Sequence, residues 1–284
     1  MKIAVTGATG QLGRLVIDKL LEHTASDKII AVVRNEEMAR PLADRGVEVR
    51  LAGYGDRSAL EAAFSGVDKV LLISSSEVGQ RIEQHGNVIE AAKAAGVKHI
   101  VYTSAPRATT TSLILAPEHK ATEENILQSG LNYTILRNNW YTENYLSQIE
   151  AARNTGAIVA AAGEGRVASA TRADFAAAAA AVLQGEGHEG KIYELGGDHA
   201  WDYNELAKNV GVIIGKPVEY RPVDGTALID QLKAVGMDEG TAGFVAALDA
   251  NIAEGALSEV TGDLSKLIGR PTTSLKQGLM DAMA

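Results

Sequence analysis

The chain has 284 residues, 46% of them hydrophobic and 22% charged, which suffices for the core of one large nucleotide-binding domain with a smaller appendage and requires no disorder. Thirty-six acidic against 27 basic residues give a net charge of −9 with no basic run, which argues against general affinity for nucleic acid or anionic membrane. Cysteine is absent, excluding disulfides, thiolate metal sites and a cysteine nucleophile, and with no signal peptide before the first strand and no apolar stretch near the roughly 20 residues of a membrane span, the expectation is a cytoplasmic protein.

Lys2 to Thr6 is short, largely apolar and rich in β-branched residues, and Gly7-Ala8-Thr9-Gly10-Gln11-Leu12-Gly13 follows at once, opening into the helical spacing of Leu12, Leu15, Val16, Lys19 and Leu20. Such a turn needs a residue that tolerates positive φ, and a pyrophosphate reaches the backbone only where no Cβ intervenes, so Gly7 and Gly10 have separate tasks. Gly13 lets the helix lie close to the sheet. Unpaired N–H groups and the positive end of the helix dipole then face the phosphates. The stretch reads as a dinucleotide site, with Thr6, Gly7, Thr9, Gly10, Gln11 and Leu12 as cofactor contacts. Its G-x-x-G-x-x-G spacing is the form seen in extended and atypical short-chain dehydrogenases/reductases.

Lys28 to Val33 reads as a strand buried on both faces, ending at Arg34. At that position an NAD-specific site carries an acid for the adenosine ribose, whereas a guanidinium forms forked, charge-assisted bonds to a 2′-phosphate, so NADP is favoured over NAD. A helix over 37–45 and a strand over 47–51 lead to the loop from Ala52 to Asp56, placed to contact adenine. The strand from Val67 to Ile73 ends in Ser74, Ser75 and Ser76, hydroxyls at the ligand-binding edge of a parallel sheet. A helix over 80–95 and a strand over 99–104 precede the polar loop from Arg107 to Ser112. No Tyr in the chain has a Lys four residues later; Tyr102 is followed at that spacing by Pro106, so the usual Tyr/Lys acid of short-chain dehydrogenases is missing. The next helix, from near Pro117, carries His119 and Lys120, and the strand from Tyr133 to Leu136 runs into Arg137, Asn138, Asn139, Trp140 and Tyr141.

The glycine turn from Thr6 to Gly13, Val32 to Asn35, Leu72 to Ser76, Leu136 to Tyr141, Ala168 to Arg172 and Leu264 to Gly269 together resemble the NmrA-like bacterial NADPH:quinone oxidoreductases, with triphenylmethane-dye reductases as near relatives. The resemblance covers nearly the whole chain. It implies an α/β fold in which a Rossmann-type doubly wound parallel sheet meets a smaller α+β C-terminal domain, with the cofactor in the cleft between them. Carried over by position, NADPH would be held by the glycine turn, Arg34, Ser74 to Ser76, Asn138, Asn139, Trp140, Tyr141, Ser169, Thr171 and Arg172. More distant isoflavone-reductase-like members place a catalytic Lys where this chain has His119. Lys120 is a poor substitute, because one residue along a helix points about 100° away.

Beyond residue 150 the pattern gives a strand over 157–162, an alanine-rich helix over 172–184 whose Ala run suits close packing, and a strand over 192–195. Thr171 and Asp174 suit its N-terminus as caps. From Trp201, read as a core residue, helices over 202–214, 226–235 and 243–252 alternate with a strand over 218–221. Residues 1–150, rejoined by parts of 157–200, are thus assigned to the nucleotide domain and 201–284 to a small substrate-side domain.

The substrate implied by the resemblance is a small-molecule quinone, which accepts hydride readily because the incoming charge is delocalised, so positioning can replace a strong acid. Asn138, Asn139 and Tyr141 are the candidate donors to its oxygens, Trp140 a flat apolar wall and His119 a proton source or a cleft-lining residue. No flavin site is visible, and the scattered His and carboxylates lack metal-ligand spacing. Two alternatives stand beside quinone reduction: reduction of cationic triphenylmethane-like dyes, and a non-catalytic NADP-binding redox sensor of the NmrA type. Oligomeric state is left open between monomer and homodimer.

Overall fold

The computed structural model describes residues 1–283. In chain order its first half contains β1 (Ile3–Thr6), α1 (Gln11–Leu21), β2 (Ile29–Val33), α2 (Glu36–Ala43), β3 (Glu48–Leu51), α3 (Arg57–Ala63), β4 (Lys69–Leu72), α4 (Arg81–Ala94), β5 (His99–Ser104), α5 (Ala116–Ser129) and β6 (Asn132–Asn138). The second half contains α6 (Leu146–Thr155), β7 (Ala157–Ala160), β8 (Arg166–Val167), α7 (Arg172–Gln184), β9 (Lys191–Leu195), β10 (Trp201–Asp202), α8 (Tyr203–Ile214), β11 (Glu219–Pro222), α9 (Gly225–Ala234), α10 (Glu239–Ala253), α11 (Asp263–Ile268) and α12 (Leu275–Met283).

Seven strands make one parallel sheet in the order β3-β2-β1-β4-β5-β6-β9. β1, β2, β4 and β5 are buried along their whole length, and β2 accordingly reads as an unbroken apolar run with no alternation. Strand order reverses between β1 and β4, and the carboxyl ends of these neighbours form the crevice where such sheets bind ligands. α1 and the alanine-rich α7 cover one face together with α11, whose Leu264 is fully buried there. α3, α4 and α5 cover the other, around Leu60, Phe64, Val88, Tyr102 and Ile126.

A separate core surrounds Trp201, Tyr203 and Tyr145. It draws on α6, β7, α8, α10 and α12 and also takes Ala105, Leu113 and Ala116 from beyond the end of β5. Trp201 is 1% exposed, a core residue as its composition implied. β7 pairs in parallel with β11, and β8 pairs antiparallel with β10, outside the main sheet.

Three differences from the sequence reading bear on the site. β6 runs two residues past Leu136, so Asn138 is held in the ladder opposite Leu195. α6 was not anticipated, because its buried residues Ile149 and Ala152 are too few to make a stripe. α11 and α12 return to the two different cores, Leu264 to that of the sheet and Leu279 to that of Trp201.

The turn between β1 and α1 needs glycine for two reasons. Gly7 has φ +59°, and a Cβ on Gly13 would stand 2.3 Å from the Gly7 carbonyl oxygen and 2.8 Å from the Ala8 Cα. Gly13→Ala should therefore push α1 off the turn and cost roughly 1–3 kcal/mol of stability, the range for overpacking. A urea-denaturation midpoint equal to that of the unsubstituted chain would show that the helix has room to give.

Candidate functional site

Above the carboxyl ends of β1 and β4 the sequence leaves a set of unpaired donors. α1 has no side-chain cap and no acid in its first turn, whereas Asn35, Asp56, Thr171, Asp202, Asp224 and Asp238 cap α2, α3, α7, α8, α9 and α10. The Gly10 N–H closes the turn on the Gly7 carbonyl at 2.9 Å, leaving the N–H groups of Gln11, Leu12 and Gly13 at the bare helix end. A Cβ on Gly10 would meet only the Gly7 oxygen, 3.1 Å away, so the space over the turn is free of protein. These are the features a pyrophosphate requires: free backbone donors, a positive dipole end and no side chain in the way. Thr9 and Gln11 border the same opening, while the Leu12 side chain belongs to the core and can offer only its backbone.

Thr6 needs correction. Its side chain is fully buried, its Oγ1 donates to the Leu71 carbonyl at 2.9 Å, lies 2.6 Å from the Tyr54 hydroxyl and accepts from the Ile73 N–H, so it ties β1 to β4 under the turn and has no atom left for a cofactor. Tyr54, which sequence reasoning passed over inside the loop expected to contact adenine, completes this tie, its one hydroxyl proton shared between Thr6 Oγ1 at 2.6 Å and the Ile73 carbonyl at 2.7 Å. Burial pushes its hydroxyl up, so it stays protonated and able to donate.

Arg34 emerges from β2 with its side chain 74% exposed, its stem along Gly53 and its Nη1 2.8 Å from Glu77 Oε1. The three serines after β4 divide. Ser74 is half-buried with its hydroxyl unbonded, and Ser76 is exposed. Ser75 turns inward and anchors the loop: its N–H donates to His85 Nε2 at 3.0 Å, its carbonyl accepts from Arg81 Nε at 2.6 Å and its Oγ accepts from the Glu77 N–H. Neither Arg81 nor His85 was legible as a site residue, since nothing in a helical heptad marks which polar side chain reaches back to a loop.

At the end of β6, Asn138 is 8% exposed and its Oδ1 is buried without a partner. A buried carbonyl oxygen left unsatisfied costs about 1–3 kcal/mol, and an amide or hydroxyl of a bound dinucleotide is the kind of donor that would relieve it. Asn139 is corrected to a brace, its Nδ2 donating to the Leu257 carbonyl and its Oδ1 accepting from the Trp140 N–H. Trp140 packs on the core around Trp201, while Tyr141 packs on the core of the sheet, edge to face with Phe175 and beneath the Arg172 guanidinium 4.7 Å from its ring centre. The segment thus straddles the two cores. Ser169, Thr171 and Arg172 are committed to protein partners: Ser169 Oγ accepts from Trp201 Nε1, Thr171 caps α7, and Arg172 donates to Asn144 and pairs with Glu143. They hold the segment from Trp140 to Tyr145 from behind.

His119 is 5% exposed, whereas Lys120 beside it is exposed, as the helical offset requires. The Tyr102 hydroxyl lies 2.7 Å from His119 Nδ1. Burial holds that phenol protonated. Burial first, and then the Arg81 charge, lower the His119 pKa to about 3 and that of His85 likewise to about 3. Among the described residues no group of three or more His, Cys, Asp or Glu is arranged to hold a metal ion.

Residues 7–186 match the NAD(P)H-binding family. The chain belongs to that family. Quinone oxidoreductase 2 of Escherichia coli (strain K12) is 51% identical over 277 residues, 98% of this chain and 97% of the relative. The structure of the NADPH-dependent quinone oxidoreductase of Escherichia coli complexed with NADPH superposes with a TM-score of 0.96 at 50% identity, covering 99% of this chain and all of that one. The Citrobacter sp. triphenylmethane reductase complexed with NADP(H) matches at 0.95 and 44% identity over 99% of this chain and all of its own. The resemblance read from the motifs is therefore borne out. A NAD(P)H-binding family member that buries neutral histidines beside its site should lose stability in acid. The unfolded chain protonates them below the ordinary 6.5 while the folded chain resists to about 3, so between these values the unfolded state binds more protons and stability falls as pH falls. Each histidine contributes a slope of up to about 1.4 kcal/mol per pH unit. Urea unfolding from pH 7 to 5 should show it, and His119→Gln should make the slope shallower; an unchanged slope would place the sensitivity elsewhere.

Proposed function

We propose that the protein is an NADPH-dependent oxidoreductase that reduces quinones by hydride transfer in the cytoplasm, without flavin or metal. The observation that carries this reading is the full-length match, in sequence and in fold, to the Escherichia coli quinone oxidoreductase complexed with NADPH. The bare N-terminus of α1, the open space over Gly10 and the orphaned Asn138 Oδ1 support NADPH as the group held there. Among the described residues no helix is long and apolar enough to cross a membrane.

In this reading the core of the main sheet forms the nucleotide lobe and the core around Trp201 the substrate lobe, with Asn138 to Tyr141 between them. The first-turn N–H groups of α1 take the pyrophosphate, and Arg34 takes the 2′-phosphate with charge-assisted bonds. When bound, NADPH supplies the hydride. The chain's own residues orient the acceptor. Asn138 fixes the cofactor amide, Trp140 gives the quinone ring a flat wall, and His119 presents a neutral Nε2–H to a quinone oxygen on which charge develops. The likeness to triphenylmethane reductase favours one second substrate class, flat cationic dyes, which need hydride and no proton.

Purified protein should oxidise NADPH only when a simple benzoquinone is present. Gly10→Val should remove NADPH binding and leave the fold intact, because the new side chain enters the space over the turn. Normal NADPH titration of that variant would refute the cofactor placement. Asn138→Ala and Trp140→Ala should each lower kcat/KM about 5- to 150-fold, equivalent to roughly 1–3 kcal/mol, and His119→Ala should lose less. Collapse in the His119 variant alone would instead make that residue an essential proton donor. Tight NADPH binding without reduction of benzoquinone or a triphenylmethane dye would replace the enzyme with a redox sensor.

A further inference from the structure

The end of β2 carries Arg34 where a NAD-selective site would place a carboxylate, yet a carboxylate is present, delivered by the loop after β4. Glu77 follows the serine loop after β4 and brings Oε1 to 2.8 Å from Arg34 Nη1. Its position is set by more than that pair. Gln84 Nε2 donates to Glu77 Oε2 at 2.7 Å, the Glu77 N–H donates to Ser75 Oγ, and Ser75 is itself pinned by His85 and Arg81. The Gln84 amide, and after it Arg34, hold the Glu77 carboxyl below its ordinary pKa, so it is a carboxylate at neutral pH. β2 and β4 flank β1, so the pair spans the crevice over the glycine turn on the side of the adenosine ribose.

We propose that Arg34 and Glu77 act as a two-way selector at the adenosine ribose, Arg34 binding the 2′-phosphate of NADPH and Glu77 accepting from the 2′-hydroxyl of NADH, so that Glu77 is the residue that keeps NADH usable. The inference rests on the NADPH-binding reading above and goes beyond it in assigning Glu77 and the second cofactor. Each carboxylate oxygen has two acceptor positions, so Oε1 can keep Arg34 and still receive a ribose hydroxyl. A 2′-phosphate brings close to two negative charges and displaces Glu77 from the guanidinium. That displacement is cheap, because an ion pair with side chains this exposed is weak, but Glu77 then stands as a like charge beside the phosphate and lowers affinity for NADPH. Arg34 alone would give a stricter NADPH site.

The test is direct binding, followed by nicotinamide fluorescence with NADPH and NADH separately, on the full chain and on Glu77→Gln. Glutamine keeps an acceptor for Gln84 and removes the charge, and an unchanged thermal midpoint checks the fold. The dissociation constant for NADPH should fall about twofold to fivefold, the scale of an exposed ion pair, and that for NADH should rise about threefold to tenfold. Both effects should shrink at molar salt, where screening is nearly complete. Tightening of both cofactors together would mean that the pair is a latch which any dinucleotide must open, and would overturn the proposal. No change in either would reduce it to an ordinary surface pair. Failure of the unsubstituted chain to bind NADPH would appear in the same titration and would count against the function proposed above, separately from the role of Glu77.

Discussion

A residue with a Cβ cannot take the place of Gly13 without moving the backbone of Gly7 and Ala8, so α1 meets the end of β1 at a separation that only glycine permits. That contact aims the first-turn N–H groups across the carboxyl edge of the sheet. It also requires a floor that does not move, and the floor is polar. Thr6 and Tyr54 join β1 to β4 through the Leu71 and Ile73 carbonyls at the place where strand order reverses. Two parallel strands with no sequence-local connection are thereby tied together beneath the glycine turn.

Besides the Trp140–Tyr141 segment, the two cores are joined by ions. Glu123, 1% exposed, accepts from Ser104 Oγ and from Nε and Nη2 of Arg137; Arg137 Nη1 reaches Glu194, and Glu194 accepts from the Arg107 N–H. Arg107 then donates to the Gly255 and Ala256 carbonyls. Buried pairs of this kind seldom add net stability over apolar residues of the same volume, but removing one partner leaves a buried charge at a cost of about 3–5 kcal/mol. Their directionality is what matters here. The chain of bonds fixes the end of β6, one residue before Asn138, relative to the loop that enters the other core. Arg107 has φ +48°, a left-handed backbone costing a non-glycine residue about 1–3 kcal/mol, and the bonds from its N–H and guanidinium offset that strain.

What the sequence shows and what it hides follow from the range of the interactions. The glycine turn, the continuous apolar strands and the serines at a strand end are local patterns, and they led correctly to the α/β fold and to the NAD(P)H-binding family. Side-chain roles were harder to read where the partner lies far along the chain. Nothing near Thr6 reveals that Tyr54, 48 positions later, will occupy its hydroxyl, and nothing near Ser75 reveals that His85 and Arg81 will pull it inward. The partner of Arg34 was likewise hidden, because Glu77 is 43 residues away, in the loop after β4. Glu36 and Glu37, the acids adjacent to Arg34 in sequence, instead occupy the first turn of α2, where its dipole favours them.

The chemistry that such a site can support is limited by what burial has done to His119. Burial lowers its pKa to about 3, so the ring is neutral at pH 7 and a poor acid. Its neutral form predominates at pH 7, and the Tyr102 hydroxyl fixes the ring through Nδ1. A lysine in its place would have to bury a charge close to Arg81, and desolvation together with repulsion would strip its proton and leave a weaker donor. The neutral imidazole avoids this conflict and offers a fixed hydrogen bond that strengthens as negative charge develops on an acceptor oxygen. A substrate that delocalises that charge over a ring needs no more, and it can take its proton afterwards from water.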